Sequence, residues 1–454
     1  SALAGFRAPH RPGKARRRAN WLLMRLCALA RDDPSAPSVC MYDASSEQWV
    51  ALVPTVQRCY RRGALRNEAL VAAVRSVVAF LGADFKVRAE AVALAQQAVA
   101  EGWDGSIVDG SRMESKPFQP LSFRDAALYP RHLKQSTAGF VPLMCVHGHL
   151  LQAVGMLLTK PLRLPDGLNP ASRPAYYVGN PLTFIGDGET VAWPSHCDAG
   201  GRASTLDYEL EVAVLITRAV SRRAFPAEVA AAIGGFVLIN DFSARCTQAD
   251  ELLSVGFGFV KSKSFATSMA REVVAAGDLW QPGDTGPLLG TGLRCDVSVN
   301  GEPRRGSSGR PGNTAEGPRV CSLEALVAFC ALDEGLQPGE LIGLGTVPDC
   351  CGIEIGRMLR PGDEVSLRVE GLGSLTNIIG AVPAAATPFK QINCSAGAAP
   401  PPGRLRTALS MLLSALIAPP LLCVALSLGA LAALAWTPRR RQTEGQQWGG
   451  GGRG

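Results

Sequence analysis

Two glutamates separated by a single residue stand in a segment whose side chains alternate in character. Residues 206–216 are typical of a β-strand, in which successive side chains point to opposite faces. Glu209 and Glu211 would therefore share one face, with Leu210 on the other. Two neighbouring carboxylates repel each other unless a cation lies between them, and Mg²⁺ or Ca²⁺ prefers such oxygen ligands. The alternative is an exposed sheet face with two solvated acids.

A third acid follows a strongly apolar segment. Residues 236–239 form a continuous apolar run of the kind found in buried strands, and Asn240 and Asp241 come directly after it. A carboxylate at the end of a buried strand needs compensation by a cation, a metal ion or hydrogen bonds. Lys263, in a segment rich in Lys and Ser, offers such a cation. These residues together point to a site built from carboxylates.

Five ordered segments resemble the fumarylacetoacetate hydrolase family, specifically its C-terminal catalytic domain. They are residues 206–216, 235–248, 263–268, 345–356 and 361–377, within a resemblance that extends over residues 118–385. The resemblance implies a β-rich α+β fold of mixed β-sheets, wrapped into a roll or sandwich around the active site, usually in a homodimer. It also implies a bound Mg²⁺, with Ca²⁺ or Mn²⁺ as alternatives, held by Glu209, Glu211 and Asp241.

The resemblance assigns roles to further residues. Hydrolases of this family carry one more acid seven residues before a histidine, and Asp125 and His132 keep that spacing. Asp125 is therefore expected as a further metal ligand and His132 as the general base. The remaining assignments are substrate contacts by Tyr177, Arg245, Gln248 and Thr346, and metal-site residues at Lys263 and Thr267.

These parts imply hydrolysis of a carbon–carbon bond in a small 1,3-dicarbonyl or 2-oxo acid. The metal would act as a Lewis acid on the substrate carbonyl, while His132 would remove a proton from water. The metal and Lys263 would stabilise the enolate that remains when the bond breaks.

Several positions differ from the true fumarylacetoacetate hydrolases. Ala127 and Leu252 stand where that enzyme has tyrosines, and Val141 replaces a substrate-binding arginine. The glutamate that orients the histidine aligns with Arg360, although Glu354 lies nearby and would substitute if the loop shifts. These differences argue against fumarylacetoacetate itself as the substrate.

The aligned arginine keeps two alternatives open. Without an orienting carboxylate His132 would be a weaker base, which favours decarboxylation or keto–enol isomerisation of an oxo acid, reactions that need no attacking water. A catalytically reduced, membrane-anchored binding or scaffold protein is the alternative from another functional class.

The elements around these residues indicate two modules. A small N-terminal α/β module is expected over residues 24–116, with a hairpin in residues 25–55 and helices at 64–80 and 87–100. The catalytic domain is expected over residues 117–388. Its further predicted elements are strands at 235–239, 293–299, 365–370 and 375–381, helices at 226–233 and 323–332, a hairpin turn at Asn300-Gly301 and an irregular loop at 305–319.

The chain has 454 residues and a formal charge of +7, but the positive charge is concentrated at its ends. Residues 1–30 carry seven Arg and Lys without an acid, and residues 404–454 carry +5, so residues 31–403 carry −5. An acidic body argues against nucleic-acid binding. Thirteen cysteines without a CxxC pair favour reduced thiols in a reducing compartment, the cytosol or an organelle.

The two ends suggest targeting and attachment. Residues 1–23 have the composition of an organelle transit peptide, and a disordered basic arm is the alternative. After a linker at 389–404, residues 405–437 are long and apolar enough to cross a bilayer, and a basic, Gly-rich tail follows at 438–454. Pro419-Pro420 divides the apolar segment, so a kinked span or re-entrant hairpin is expected. A buried helix of the globular body is the alternative.

Overall fold

The strands and helices come from a computed structural model. It describes residues 23–29, 38–61, 67–146, 174–195, 197, 205–253, 258–284, 288, 291–306, 308–315 and 321–383. Four predicted segments lie outside these residues. They are the transit peptide apart from Leu23, the linker, the membrane segment and the tail. No helix within the described ranges is long and apolar enough to span a membrane.

Strands dominate the described part of the chain. In chain order they are β1 (Arg25–Leu29), β2 (Ser38–Asp43), β3 (Gln48–Ala51), β4 (Ile107–Val108), β5 (Phe123–Ala126), β6 (Tyr176–Gly179), β7 (Phe184–Gly186), β8 (Thr190–Val191), β9 (Leu206–Asp207), β10 (Glu209–Ile216), β11 (Ile233–Asp241), β12 (Ser243–Ala244), β13 (Thr267–Met269), β14 (Val273–Ala275), β15 (Arg294–Val299), β16 (Glu302–Arg304), β17 (Gly312–Asn313), β18 (Leu341–Cys351), β19 (Glu364–Val369) and β20 (Gly373–Ile379).

Helices lie mainly before and between these strands. They are α1 (Leu52–Arg61), α2 (Glu68–Ala73), α3 (Val77–Gly82), α4 (Phe85–Ala100), α5 (Pro130–Val146), α6 (Pro226–Ala232), α7 (Arg245–Leu253), α8 (Ala276–Leu279) and α9 (Leu323–Ala331). The predicted sheet-rich α+β fold is confirmed.

Most strands belong to one mixed, twelve-stranded sheet. Its main path runs β4-β3-β2-β1-β14-β11-β10-β18-β5-β6, and β13 and β7 branch from β11. A six-stranded sheet of β8, β15, β16, β17, β19 and β20 packs against it through contacts of β19 and β20 with β11. β9 and β12 form a separate pair.

The centre of the large sheet is closed to solvent on both faces. Every residue of β10, β11 and β18 is buried. Strands covered on both sides read as continuous apolar runs, which is why these segments are rich in Val, Leu and Ile. Any acid within them is held away from water, and the functional site is built there.

Several predicted elements are confirmed within one or two residues of their ends. Strands at 235–239, 293–299, 365–370 and 375–381 correspond to β11, β15, β19 and β20. Asn300 and Gly301 join β15 to β16 with positive φ angles of 53° and 76°, as a two-residue hairpin turn requires.

Other expectations are wrong in informative ways. The helix predicted at 64–80 is broken in its described part. α2 ends at Ala73, and Ser76 caps the start of α3 by accepting a hydrogen bond from the Ala79 N–H at 3.1 Å. The strands of the region predicted as a hairpin at 25–55 end at Ala51, because Leu52 begins α1. The loop predicted to be irregular at 305–319 contributes β17, which pairs with β15. Residues of the predicted N-terminal module continue the main sheet through the β1–β14 pairing, and the module boundary near residue 116 stays a prediction.

Candidate active site

Three buried acids from three strands meet in the large sheet. Asp125 lies on β5, Glu211 on β10 and Asp241 at the end of β11. One carboxylate oxygen from each lies within 4.8 Å of the other two. β18 runs between β5 and β10, so Asp125 and Glu211 approach each other across a strand. We call these three residues the carboxylate cluster.

A glycine on β18 makes room for the carboxylate cluster. Gly343 pairs with Asp125 on one side and with Ala213 of β10 on the other. A Cβ atom at Gly343 would overlap Oδ1 of Asp125 and would lie 3.1 Å from Oε2 of Glu211. Both oxygens are buried, and no donor among the described residues reaches either of them. The strand between the two acids thus carries the one residue type that leaves space for them.

Burial makes the negative charge of the carboxylate cluster costly. Burial and the nearby Asp241 raise the pKa of Asp125 to about 7. Burial and the Asp125 carboxylate raise the pKa of Glu211 well above its usual range. Burial also raises the pKa of Asp241, although Lys263 opposes that shift. The cluster therefore needs additional positive charge to remain fully ionised.

The donor atoms of the cluster suit a hard divalent cation. They are all carboxylate oxygens, and two of them have no hydrogen-bond donor. Two threonine hydroxyl groups lie against the cluster: Thr346 donates to Oε1 of Glu211 at 3.0 Å, and Thr267 donates to Oδ1 of Asp241 at 3.4 Å. A cation of charge +2 would favour the ionised form of all three acids, so the residues present fit the implied metal.

Glu209 lies beside the cluster and is already paired with two cations. Its carboxylate accepts hydrogen bonds from Nζ of Lys263 and from Nη2 of Arg245, the latter at 2.6 Å. Lys263 also donates to Asp241, so its ammonium bridges Glu209 and the cluster. Burial raises the pKa of Glu209, but Arg245 and Lys263 outweigh burial and hold it below its usual value. Glu209 therefore stays ionised without help from a metal.

His132 lies in the first turn of α5, with its two ring nitrogens in different surroundings. Nδ1 lies 2.8 Å from Oε1 of Glu354, and Nε2 lies 3.9 Å from Oε1 of Glu209. An ionised carboxylate only accepts hydrogen bonds, so we assign the proton of neutral His132 to Nδ1. The lone pair of Nε2 then points toward the acids of the site. This is the orientation that a general base needs.

The carboxylate beside His132 is Glu354, the alternative that the sequence offered to the aligned Arg360. Glu354 belongs to a 3₁₀ turn, Ile353–Ile355, directly after β18. Arg360 is exposed, and its backbone N–H donates to Oδ2 of Asp363 at 2.8 Å in a turn. The argument that His132 lacks an orienting carboxylate falls with this contact, and so does one reason for regarding the protein as catalytically reduced.

The predicted substrate contacts surround the same centre. Tyr177 on β6 donates to Oδ2 of Asp241 at 2.7 Å. Gln248 on α7 accepts from Nη1 of Arg245 at 2.8 Å through Oε1, which leaves its amide N–H groups for another acceptor. The Arg245 side chain is 2% exposed and held by acids, so its guanidinium supports the carboxylates. All predicted site residues thus fall in one network of contacts.

Sequence reasoning missed Asp207. Its side chain accepts from Nε of Arg245 at 2.8 Å and from the backbone N–H groups of Gly352 and Ile353 at 2.7 and 2.9 Å. It therefore connects the guanidinium that holds Glu209 with the turn that carries Glu354. The available signal was the alternation itself, since Asp207, Glu209 and Glu211 are spaced by two.

Comparison with known families agrees with this architecture. A family model described as the fumarylacetoacetate (FAA) hydrolase C-terminal domain matches residues 150–380, just over half of the chain. The protein belongs to the fumarylacetoacetate hydrolase family. Asp125 and His132 precede the matched segment, whereas Glu209, Glu211 and Asp241 lie inside it.

Two curated relatives bear the names of enzymes. The chain is 27% identical over 210 residues to a 4-hydroxyphenylacetate degradation bifunctional isomerase/decarboxylase of Escherichia coli, covering 46% of this chain and 42% of that protein. It is 26% identical over 208 residues to the oxaloacetate tautomerase YisK of Bacillus subtilis, covering 46% and 61% respectively. The chain thus spans about half the length of the curated relatives that it matches.

A solved structure shares the fold. The fumarylacetoacetate hydrolase of Exiguobacterium antarcticum superposes with a TM-score of 0.50 and 17% sequence identity, covering 79% of this chain and all of that one. At this identity the likeness concerns the fold alone.

Proposed function

We propose that the protein is a divalent-metal-dependent enzyme that hydrolyses a carbon–carbon bond of a small 1,3-dicarbonyl or 2-oxo acid. The observation that carries this proposal is the His132–Glu354 pair beside three convergent carboxylates. A histidine oriented by a carboxylate can take a proton from water, and hydrolysis requires that step. Membership of the fumarylacetoacetate hydrolase family supports the same broad class of chemistry.

Asp125, Glu211 and Asp241 would hold the metal, with Glu209 and Thr267 beside them. Mg²⁺ is the proposed ion, with Ca²⁺ or Mn²⁺ as alternatives. When bound, such an ion polarises a carbonyl oxygen and offsets the charge of an enolate.

The residues of the chain itself would carry out the proton transfers. His132 takes a proton from water at Nε2, the hydroxide attacks a carbonyl carbon, and the carbon–carbon bond breaks with its electron pair on the leaving fragment. Lys263, held between Glu209 and Asp241, offsets the negative charge on that fragment. Protonated His132 returns the proton to the fragment, and the products are a carboxylic acid and a ketone.

Tautomerisation or decarboxylation of an oxo acid is the second candidate. The observation in its favour is that the curated relatives include a bifunctional isomerase/decarboxylase and an oxaloacetate tautomerase. Both reactions pass through an enolate, and neither needs a water molecule to attack a carbonyl.

Turnover in ¹⁸O-labelled water distinguishes the two candidates. A panel of acylpyruvates, oxaloacetate and related oxo acids would be incubated with the protein and Mg²⁺, and the products analysed by mass spectrometry. Hydrolysis places ¹⁸O in a newly formed carboxylate, whereas tautomerisation and decarboxylation release no newly labelled carboxylic acid. His132→Gln should abolish hydrolysis. If the protein shows no turnover with Mg²⁺, Mn²⁺ or Ca²⁺, and its melting temperature does not change with these ions, a binding or scaffold role would be favoured instead.

Attachment and assembly are proposed separately. The apolar segment at 405–437 lies outside the described residues, and a membrane anchor there stays a prediction. Carbonate extraction of the full chain, beside a chain that ends at Ala396, tests it, since an anchor would retain only the full chain in the membrane. The predicted homodimer is tested by light scattering of the same two proteins.

A further inference from the structure

A second group of metal-ligating atoms lies on the far side of the His132 ring from the acids. Nδ1 of His132, Sγ of Cys351 and a carboxylate oxygen of Glu354 all lie within 4.8 Å of one another. The distance from Nδ1 to Sγ is 3.8 Å, and Nδ1 lies 2.8 Å from Oε1 of Glu354. We call these three residues the His–Cys–Glu cluster. β18 ends at Cys351 and the 3₁₀ turn follows, which is why the sulfur and the carboxylate approach the same nitrogen.

The His–Cys–Glu cluster differs chemically from the carboxylate cluster. A thiolate and an imidazole are softer ligands than carboxylates, and Zn²⁺ binds them readily, whereas Mg²⁺ and Ca²⁺ prefer oxygen. Sulfur and nitrogen ligands of one Zn²⁺, at about 2.3 and 2.0 Å from the metal, lie about 3.5 Å apart in a tetrahedral site. The observed 3.8 Å between Sγ and Nδ1 is close to that separation.

The charge of this cluster also suits a divalent ion. Cys351 is buried, and Oε2 of Glu354 is a buried oxygen that has no hydrogen-bond partner in the described part of the chain. A thiolate and a carboxylate together balance the charge of Zn²⁺, so the occupied site would be neutral in its buried surroundings. Burial and the nearby Glu354 raise the pKa of the Cys351 thiol, and a bound metal overcomes this by displacing the thiol proton.

We propose that His132, Cys351 and Glu354 form an inhibitory binding site for Zn²⁺. Zn²⁺ bound at Nδ1 of His132 moves the ring proton to Nε2, the nitrogen that faces Glu209. A protonated Nε2 has no lone pair with which to accept a proton from water, so His132 can no longer act as a base. One proton, from the thiol, is released as the ion binds. The binding stands independently of the proposed function, whereas the inhibition rests on it.

Cobalt titration of the full chain tests the binding directly. Co²⁺ takes the same ligands as Zn²⁺, and a thiolate bound to it gives an intense charge-transfer absorption that oxygen ligands do not give. The wild-type protein should show this band, and Zn²⁺ should displace it. Cys351→Ser should lack the band contributed by this site.

Cys350→Ser is the matched control. Cys350 is the adjacent residue and is equally buried, but its sulfur interacts with Cys295 and lies outside the cluster. It should therefore keep the full cobalt band. A wild-type protein without the band, a Cys351→Ser protein that keeps it, or an equal loss in both variants would overturn the proposal.

Inhibition provides the second measurement. The assay uses saturating Mg²⁺ and a substrate on which the protein is active. Under these conditions Zn²⁺ should inhibit the wild-type protein and Cys350→Ser alike. Cys351→Ser should need at least about tenfold more Zn²⁺ for half-inhibition, measured relative to its own activity without Zn²⁺, because it has lost a ligand. Equal sensitivity of the two variants would refute the inhibitory role. If no substrate is turned over, the proposed function fails. The cobalt titration still shows whether the His–Cys–Glu cluster binds metal.

Discussion

Asp207 and Arg245 form an ion pair that is almost fully removed from solvent, with 2.7 Å between Oδ2 and Nη2. The same carboxylate holds the backbone of Gly352 and Ile353, at the start of the turn that carries Glu354. Arg245 in turn holds Glu209. One acid therefore fixes the position of two groups that approach His132 from different directions.

Replacement of Asp207 by Asn should destabilise the protein. The amide keeps the size of the side chain but leaves the buried Arg245 with one fewer carboxylate, and breaking a buried pair in this way costs about 3 kcal/mol. The free energy of unfolding, measured by urea denaturation, checks this. Asp109→Asn is the control, because that acid is exposed and its side chain accepts hydrogen bonds from Ser111 that an asparagine oxygen can also accept, so its denaturation midpoint should not move. Equal midpoints for the two variants would contradict the structural role of Asp207.

Glu354 should be required for hydrolysis, while Arg360 should not. Glu354→Gln removes the negative charge that fixes the proton of His132 on Nδ1, and we expect kcat to fall by about a hundredfold. Arg360→Ala removes an exposed side chain and should leave kcat unchanged. Steady-state kinetics on a substrate from the screen provides the measurement. The opposite result, with Arg360 essential and Glu354 dispensable, would contradict the orienting role of Glu354.

The choice between Glu354 and Arg360 could not be made from the sequence. β10 and β11 could be predicted because alternation and apolar runs are local properties of a strand. The partnership of His132 with Glu354 joins residues 222 positions apart. It depends on a short 3₁₀ turn after β18, and loop spacing of that kind follows no period that a sequence displays. The same holds for Cys351, which reaches His132 only because β18 ends beside α5.

The positions of the acids could be predicted from the sequence, whereas the partners of each acid could not. Glu209 and Glu211 look equivalent in a strand, yet Glu209 is paired with two cations and Glu211 with none of them. The difference arises from β11, α7 and the Lys263 segment, which pack around β10 from different directions. Packing of distant elements decides which carboxylate is paired with cations of the chain.

The melting temperature should rise with Mg²⁺ and fall again after chelation. An ion that binds only the folded state stabilises it by about 2.7 kcal/mol at one hundred times its Kd, which corresponds to a shift of several degrees. Glu211→Gln should not respond to Mg²⁺. Without metal, this variant should be about as stable as the wild type, because burial and Asp125 already favour the neutral form of Glu211, which glutamine resembles in size and charge.

Differential scanning fluorimetry with and without EDTA makes this comparison. Glu302→Gln, an exposed position on β16, is the control and should respond to Mg²⁺ like the wild type. A Glu211→Gln protein that is stabilised by Mg²⁺ as strongly as the control would show that the carboxylate cluster is not the metal site.

Gly343→Ala should weaken metal binding without altering any acid. The new methyl group would overlap Oδ1 of Asp125, so that carboxylate must turn away from Glu211. Because the ligands would then no longer converge, we expect the affinity for Mg²⁺ or Mn²⁺ to fall at least about tenfold, as measured by isothermal titration calorimetry. Gly277→Ala is the control: no atom lies within 4 Å of its added Cβ, and it should bind metal normally. Unchanged affinity in the Gly343 variant would mean that the space beside β18 is not needed for the ion.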